Sequence, residues 1–582
     1  MSIAGVAMEK KLLVIAFLLA IAQLSLAQCI STNRTLYVPA VVNENRSEMV
    51  RIGVEIRPGS GEAFTSIYPA VGYDTQGSER TAAAIAFAAT GRNDCDAIMR
   101  FMASRGVDHV DGPSAGGAMT ALLLSALTGK ELRNDFSITG TIETDGSIGP
   151  VGGIPLKAEA VAKSGIPLFI TPELSSSDKI GLLLVKKEYN ITVAQVKDID
   201  EAFSLMTSTS MPEERLVLSP EGRQEYGNAS LDHWYASRLY AMANDMAERA
   251  ESRLNGSDLG FRANFESRLI NAKEALASGQ MYTAANIAFL LAIDEEFANF
   301  TKENVAKSYK ETENCLDEFT VKNTTLQNFE VIGPAQARYA WADTRLPESV
   351  PEENGFVSSM FQAYYDTLNA KQWCMAAKDL NEYSYPGEET AFNESILHNY
   401  VDDVLTNITD ISPEVGVNSD IDFHLESAER SFQTGMYVAS LVDAAYVKSY
   451  LDMENITANE SETLLQERLF MNYSRIWPQA MINHAKTIAA SDRSSALRIA
   501  LLASNMDDYF GNVTAIASDS LTPPLVIGGE GNETNGRAQP RLEEEQSFIM
   551  RLAGIGALLL IVFWAYGRSG KKKRWRKSTT TD

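Results

Sequence analysis

The chain has 582 residues, of which 45% are hydrophobic and 22% are charged, a composition typical of globular proteins. Its length predicts about two to four domains, each large enough to bury a core. The formal net charge is -25. An acidic surface of that size repels phosphate backbones, which argues against nucleic acid as a partner.

The N-terminal segment has the pattern of a secretion signal. Lys10 and Lys11 precede an apolar run over residues 12–22, and Ser25-Leu26-Ala27 offers a small-x-small cleavage pattern. This order of basic, apolar and small residues is typical of a signal peptide. We therefore predict a signal peptide over residues 1–27, with an uncleaved N-terminal anchor as the alternative.

The C-terminal segment has the pattern of a membrane anchor. Residues 520–546 are rich in Pro, Gly and Glu and are predicted to be a flexible stalk. Residues 547–567 are apolar enough to cross about 30 Å of hydrocarbon as one helix, and the tail over 568–582 is basic. Dense basic residues mark the cytoplasmic side of a span. We therefore predict a single-pass cell-membrane protein with its bulk outside the cell and the lipid bilayer as a partner.

Sequons and cysteines agree with export. About fourteen Asn-x-Ser/Thr sequons occur, none of them between Ser47 and Asn190, which predicts a glycoprotein. Four cysteines permit two disulfides in an oxidising exterior. We favour the pairs Cys29–Cys95 and Cys315–Cys374, because each pair stays within one predicted domain. Free buried cysteines are the alternative.

The first predicted domain, residues 28–210, alternates between strand and helix patterns. Residues 50–56 alternate apolar and polar side chains with the two-residue period of a half-buried strand. Asp145-Gly146 predicts the turn of a hairpin over 136–148. The other predicted elements are strands at 97–103 and 167–171 and helices at 81–90, 115–127 and 155–163. This order predicts an α/β or α+β fold.

The second predicted domain, residues 211–519, is helical throughout. Residues 275–285 resemble residues 431–440, and looser copies occur at 368–377 and 488–497. A helix, a glycine-containing turn and a second helix are typical of TPR-like hairpins. Stacked hairpins often bind peptides or proteins. A packed helical spacer is the equally open alternative.

Ser114 stands in the stretch with the strongest chemical signal. A loop shaped by glycine and proline enters an apolar helix there, so backbone amides and the positive helix end suit a developing oxyanion. The predicted oxyanion-loop residues are Gly112, Pro113, Ala115 and Gly116. A serine is a weak nucleophile at neutral pH and needs a base.

Lys157 is the predicted base. Of the five histidines only His109 is near Ser114 in sequence, and it has no recognisable catalytic pattern. A free lysine titrates near 10.4, so its pKa must fall by about three units, or about 4 kcal/mol, for base catalysis at neutral pH. Burial and a helix N-terminus both lower it, and Lys157 is predicted in the first turn of an apolar helix. The alternative is a surface lysine on an amphipathic helix.

These motifs resemble the proteolytic domain of Lon proteases, peptidase family S16. Residues 111–116 match the nucleophile motif of that family, and Thr139-Gly140, Gly146 and residues 150–153 follow in its order. Ser114 and Lys157 are 43 residues apart, the interval of the family. The Gly-Gly-x-x-x-Lys-x-x-Ala pattern looks like the archaeal branch.

The resemblance implies a fold and a set of roles. The fold is the Lon proteolytic α/β fold, related to the second domain of ribosomal protein S5. Ser114 is implied as nucleophile and Lys157 as general base. Thr139 is implied as a hydrogen-bond partner near the lysine, and Asp111 as an acidic neighbour that pairs with it. No cofactor or metal is implied, and Lon-like domains commonly form homo-hexamers.

The expected function is that of a membrane-anchored serine endopeptidase. No Gly-x-x-x-x-Gly-Lys-Ser/Thr loop occurs, so the ATPase module of the family is predicted to be lacking. We therefore expect unfolded or flexible polypeptides to be cleaved without ATP. The main alternative is a non-catalytic cell-surface scaffold that binds proteins. A phosphate-binding kinase is a weaker alternative, and a metalloprotease is weaker still because no His-Glu-x-x-His occurs.

Overall fold

A computed structural model describes residues 29–521, apart from the short segments 44–45, 103–108, 215, 232, 255–258, 413–418 and 455. The predicted signal peptide, transmembrane helix and basic tail, and nearly all of the predicted stalk, lie outside the described residues. Among the helices within them, none combines the length and the apolar character that a membrane crossing requires.

A four-stranded sheet forms the first layer. Its strands are β1 (Thr32–Asn43), β2 (Arg46–Pro58), β3 (Ala63–Thr65) and β5 (Cys95–Met102), in the order β1-β2-β5-β3. β2 lies antiparallel to β1 and to β5, and β3 lies parallel to β5. Ile52, Val54 and Ile56 of β2 are buried. The strand predicted at 50–56 is confirmed, and most of the one predicted at 97–103 lies in β5.

Two short strands, β4 (Ala70–Val71) and β6 (His109–Val110), pair in parallel beside this sheet. A third sheet consists of β7 (Phe136–Ile138), β8 (Leu168–Thr171) and β9 (Thr192–Gln195), which are parallel, lie in that order and are joined by crossover helices. Parallel strands require such crossovers. The crossover helices are α3 (Ile154–Lys163) and α4 (Ser176–Glu188). The other helices of this part of the chain are α1 (Tyr73–Thr90), α2 (Gly116–Thr128) and α5 (Ile199–Thr207). The helices and the strand predicted here are confirmed.

The hairpin predicted over 136–148 is only partly right. The turn exists: the N–H of Glu143 donates to the carbonyl of Ser147 at 2.9 Å, and the N–H of Gly146 donates back to that of Glu143. However, β7 pairs in parallel with β8 rather than folding back as a hairpin arm. All three residues of β7 are buried, as is usual for a parallel strand covered on both faces.

The region after α5 is helical, as predicted. Its helices are α6 (Ala236–Leu254), α7 (Leu259–Ala277), α8 (Met281–Ala298), α9 (Lys302–Asp317), α10 (Phe329–Arg345), α11 (Ser359–Asn381), α12 (Glu394–Ile411), α13 (Ser419–Gln433), α14 (Tyr437–Glu454), α15 (Ala458–Leu469), α16 (Ile476–Ile488) and α17 (Arg493–Leu521). Gly279 and Gly435 have positive φ in the turns α7–α8 and α13–α14, which is how glycine ends a helix. Both predicted hairpins are therefore present.

The two looser copies have different outcomes. A short turn joins α16 to α17, so the copy at 488–497 is a hairpin. The copy at 368–377 lies inside the uninterrupted helix α11, so that prediction is wrong. Small residues there pack against neighbouring helices and do not mark a turn.

Both favoured cysteine pairs are disulfide-bonded. Cys29 and Cys95 have Cα atoms 5.4 Å apart, and this bond joins the segment before β1 to the start of β5. Cys315 and Cys374 have Cα atoms 6.2 Å apart, and this bond joins α9 to α11. Each bond lies within one of the two predicted domains, whose boundaries stay a prediction.

The helical region packs against α3 and α4 through a shared apolar core. Glu159 of α3 is fully buried. Its carboxylate accepts hydrogen bonds from the N–H of Ser358 at 2.9 Å, from the hydroxyl of Ser358 at 2.6 Å and from the N–H of Val357 at 3.2 Å. The Lys163 ammonium lies 3.0 Å away. The start of α11 is thus tied to the middle of α3.

Replacing Glu159 tests this connection. Burial alone would raise the pKa of Glu159, but hydrogen bonds from Ser358 and the charge of Lys163 hold that pKa below its usual value. The carboxylate therefore contributes stability above pH 4.5 and loses it as acid protonates the folded protein. We expect Glu159→Gln to lower the free energy of unfolding by about 2–4 kcal/mol at pH 7, measured by urea denaturation.

The matched control is Glu173→Gln, a change of the same kind at an exposed position of the same part of the chain. We expect it to alter the unfolding free energy by less than about 0.5 kcal/mol. Equal effects of the two substitutions would contradict the connection through Glu159.

Candidate active site

The loop that carries Ser114 runs from β6 into α2. Residues Pro113–Ala115 form a single 3-10 turn, and α2 begins at Gly116. A side chain at Gly116 would lie 2.5 Å from the Ser78 hydroxyl and 2.8 Å from the Ile142 backbone nitrogen. Only glycine lets the loop approach α1 this closely. Ser114 itself is half-buried at the loop's surface.

Asp111 connects this loop to the start of α1. Its Oδ1 accepts hydrogen bonds from the N–H of Gly112 at 2.8 Å and from the N–H of Thr75 at 3.3 Å. It therefore caps the first turn of α1, where a carboxylate is favoured. Gly72 makes room for it, since a Cβ there would lie 2.0 Å from the Asp111 carboxyl carbon. The Asp111 carboxylate thus lies at the start of α1, and the described residues show no ion pair between it and Lys157.

Thr139 connects the Ser114 loop to the parallel sheet. Its side chain is buried, and its hydroxyl donates to the carbonyl of Ser114 at 3.3 Å. The N–H of Gly140 donates to the same carbonyl at 2.9 Å. The N–H of Thr139 donates to Ile170 at the end of β8. Thr139 therefore fixes the backbone of Ser114, and its predicted contact with the lysine stays a prediction.

The four predicted oxyanion-loop residues all lie in or beside the 3-10 turn. The amide of Gly112 already donates to Asp111, and that of Gly116 donates to the carbonyl of Pro113. Pro113 has no amide hydrogen, and Ala115 lies within the turn. These residues shape the loop, and an oxyanion donor among them stays a prediction.

Lys157 lies in the first turn of α3 and is only 4% exposed. Its backbone N–H donates to the carbonyl of Gly153 at 2.9 Å. Burial lowers the pKa of its ammonium to about 8, because a buried charge loses its hydration. The alternative of a surface lysine on an amphipathic helix is therefore wrong, because Lys157 is buried. Within the described residues, the ammonium forms no ion pair, and no hydrogen bond joins it to the Ser114 hydroxyl.

Asp178 is the charged neighbour of Lys157 that the sequence analysis missed. Its negative charge opposes the effect of burial and raises the pKa of Lys157. Asp178 lies in the first turn of α4, where its carboxylate accepts a hydrogen bond from the Ser175 hydroxyl at 2.7 Å. Burial in turn raises the pKa of Asp178. Ser175-x-x-Asp178 is a helix-start pattern, but it does not reveal that the helix starts beside Lys157.

A cavity of ≈ 160 Å³ lies beside Asp178. Leu156 and Asp178 form one side of it, and Phe361 and Tyr365 of α11 form the other. The helical region therefore lines the cavity next to Leu156 and Asp178. His109 is exposed on β6. Within the described ranges no cluster of His, Cys, Asp and Glu could hold a metal ion.

The effect of burial on Lys157 predicts a pH-dependent stability. With a folded pKa of about 8 against an ordinary 10.5, the charged lysine costs about 3 kcal/mol below pH 8, and this cost disappears as the pH rises to 10.5. We therefore expect Lys157→Met to raise the free energy of unfolding by about 3 kcal/mol at pH 7, and by less than about 1 kcal/mol near pH 10.5. Urea denaturation at both pH values measures the difference.

Lys179→Met, on the neighbouring helix α4, is the matched control. Lys179 is half-exposed, so we expect Lys179→Met to change the unfolding free energy by the same amount at both pH values. A Lys157→Met variant whose effect is the same at both pH values would contradict the burial of a charged ammonium.

Comparison with known proteins identifies relatives of this part of the chain. Residues 101–208 match the Lon protease (S16) C-terminal proteolytic domain. The Lon protease of Lawsonia intracellularis is 40% identical over 109 residues, which cover 18% of this chain and 13% of that protein. That of Geobacter metallireducens is 36% identical over 104 residues, 18% of this chain and 12% of that protein.

A further relative is the Lon protease 1 of Herpetosiphon aurantiacus, 42% identical over 73 residues, 12% of this chain and 9% of that protein. The chain thus spans roughly an eighth or less of the length of these curated relatives. The matched segment includes both Ser114 and Lys157, and the archaeal-type character stays a prediction. Residues 101–208 of this chain are therefore similar to the C-terminal proteolytic domain of Lon proteases of family S16.

Proposed function

We propose that this protein is a serine endopeptidase in which Ser114 is the nucleophile and Lys157 the general base. The observation that carries the proposal is the burial of Lys157, which lowers the pKa of its ammonium to about 8. A base must lose its proton near the working pH to be effective. The match of residues 101–208 to the Lon proteolytic domain supports the same chemistry.

The proposed reaction passes one proton through Lys157. The neutral amine accepts the Ser114 hydroxyl proton while the oxygen attacks the peptide carbonyl carbon. The resulting ammonium then gives that proton to the leaving amine as the C–N bond breaks, and an acyl-serine remains. Water, deprotonated by the same amine, then hydrolyses the ester, and the ammonium returns that proton to the Ser114 oxygen as it leaves. Asp178 limits how far the pKa of Lys157 falls, and Thr139 fixes the backbone of Ser114.

Unfolded or flexible polypeptides are the proposed substrates, cleaved without ATP. Four apolar side chains close to β4 in the sequence are exposed: Phe64, Ile67, Tyr68 and Tyr73. They surround β4, which pairs with β6, and β6 leads directly into that loop. Exposed apolar patches favour partners that expose apolar side chains themselves, as unfolded chains do.

The proposed location is the outer face of the cell membrane, with one C-terminal helix as anchor. Nine sequon asparagines have described side chains, and all nine are exposed: Asn33, Asn190, Asn228, Asn299, Asn323, Asn393, Asn407, Asn472 and Asn512. Glycosylation requires such exposure. Both disulfides agree with an oxidising compartment. Assembly into a hexamer stays a prediction from the family resemblance.

Cleavage of an unfolded protein tests the proposed dyad. The purified full-length chain is incubated with casein without nucleotide, beside its Ser114→Ala and Lys157→Ala variants. We expect casein cleavage by the unmodified chain and a loss of at least about 10³-fold in either variant, because a nucleophile and its base act as a unit. A fluorophosphonate probe should label the unmodified chain at Ser114.

Ser147→Ala is the control, because Ser147 lies in the nearby 143–147 turn and contacts Asp145 there. It should keep both cleavage and labelling. Undiminished cleavage by Ser114→Ala would refute the dyad. A folded, inactive and unlabelled chain would favour the protein-binding scaffold.

The pH dependence of cleavage tests the role of Lys157 separately. Because the neutral amine is the active form and its pKa is about 8, kcat/KM should rise about tenfold from pH 7 to pH 9 and then level off. Asp178→Asn removes the negative charge that raises the pKa of Lys157. We therefore expect the midpoint of this rise to move to lower pH in that variant.

Asp145→Asn removes a carboxylate of the exposed 143–147 turn and should leave the midpoint unchanged. A profile that is flat between pH 7 and pH 9, or equal shifts in the two variants, would exclude Lys157 as the base whose ionisation limits the reaction.

A further inference from the structure

Arg338 is a buried cation in the middle of α10, far in sequence from the proteolytic domain. It is 7% exposed. Its one hydrogen bond to a described residue runs from Nη1 to the carbonyl of Pro334, one turn earlier in the same helix, at 2.9 Å. In the part of the chain that the structure describes, Arg338 forms no ion pair. Its charge therefore lacks a balancing carboxylate.

Two other arginines of the helical region, one buried and one half-buried, are paired. Arg268 is buried to a similar degree, and its guanidinium lies 2.6 Å from the carboxylate of Asp294. Arg475 lies 3.1 Å from the carboxylate of Asp507. Pairing is the usual condition for burying a charge. Burial lowers the pKa of Arg338, yet an arginine in a protein keeps its proton. Arg338 is thus a permanent charge without a carboxylate partner among the described residues.

Aromatic rings surround this guanidinium. Its central carbon lies 4.6 Å from the ring centre of Trp477, 5.5 Å from that of Trp341 and 5.8 Å from that of Trp373. These cation–π contacts stabilise the charge and explain how it can be buried. However, they do not engage the N–H groups: a guanidinium has five N–H donors, and Pro334 accepts from Nη1 alone.

A cavity of ≈ 50 Å³ adjoins Arg338. Leu239 and Met242 of α6 form its apolar wall, and Trp477 of α16 lines it as well. Tyr282 and Trp373, which are half-buried, also line it, together with the exposed Asn286. The cavity therefore combines an apolar wall, an open side and one unpaired cation.

We propose that this cavity binds a carboxylate carried on a small apolar or aromatic group. The carboxylate would pair with the guanidinium of Arg338, whose fork of donors matches two carboxylate oxygens. The apolar group would lie against Met242, Trp373 and Trp477. Since a water needs about 10–15 Å³ of such space, the cavity admits the carboxylate and a few carbons, and the rest of the ligand extends past Asn286.

Two sources carry this chemistry. One is the C-terminal residue of a peptide with an apolar side chain, and the other is a free small carboxylic acid. Both present the same group to Arg338. The site lies in the helical region and involves neither Ser114 nor Lys157, so it does not depend on the proposed peptidase activity.

Binding of short peptides to the full-length chain tests the proposal. The Ser114→Ala background keeps the peptides intact. The probes are acetyl-Ala-Ala-Phe with a free C-terminal carboxylate, the same peptide with a C-terminal amide, and acetyl-phenylalanine. Calorimetry measures the dissociation constants, and tryptophan fluorescence reports on the indoles of the cavity. We expect the free acid to bind at least about tenfold more tightly than the amide, because only the acid offers the guanidinium a charged hydrogen-bond acceptor.

Substitutions in this background locate the binding. Arg338→Met should weaken binding of the free acid at least about tenfold, and Arg338→Lys should have a smaller effect because it keeps the charge but not the fork. Arg345→Met is the matched control. Arg345 lies on the same helix with its guanidinium over the ring of Phe423, outside the cavity, so binding should be unchanged.

Ala285→Leu supplies an independent test if Arg338→Met does not fold, as judged by circular dichroism. Ala285 is half-buried and lines the cavity, so a larger side chain should fill it and weaken binding while Arg338 stays in place. Tight binding of acetyl-phenylalanine but not of the peptide supports the cavity with a free acid as its ligand. Equal binding of acid and amide, no binding of either acid, or full binding by Arg338→Met or Ala285→Leu would overturn the proposal.

Discussion

The loss of water around the Lys157 ammonium is the interaction on which the proposed chemistry depends. It follows from packing on both sides of α3, which lies between the strands β1 and β2 and the helical region. The buried Glu159, held by Ser358 of that region, fixes α3 two residues from the lysine. The helical region is therefore tied to the helix that carries Lys157, although the family match at residues 101–208 does not extend into that region.

The sequence predicts those parts of the site that depend on local patterns. The glycine- and proline-rich turn at Ser114 and the helix that begins before Lys157 are both set by short stretches of residues, and both occur as predicted. Contacts between distant residues are a different matter. Asp178 reaches Lys157 only because α4 starts beside α3, and Glu159 meets Ser358 across 199 residues of chain. No local pattern specifies either contact.

Asp111 shows how a family resemblance can imply a contact that the described residues do not show. A carboxylate three residues before a nucleophile is close in sequence to the site, and the family resemblance implies that it pairs with the lysine. In the structure its oxygen caps α1 through Thr75 instead. The backbone of Gly72 leaves the space that this contact needs. Its effect on Ser114 is therefore through the shape of the loop, and the charge that acts on Lys157 comes from Asp178.

Lys157 and Arg338 are both buried cations without an ion pair among the described residues, in a chain whose net charge is -25. Burial disfavours the charged form of each, but the outcome depends on the intrinsic pKa of the group. An ammonium starts near 10.5 and reaches about 8, so it can release its proton and act as a base. The pKa of a guanidinium starts too high for it to do so. Arg338 therefore stays charged, and only an anion can balance that charge. The same physical condition therefore favours proton transfer at one position and recognition of a carboxylate at the other.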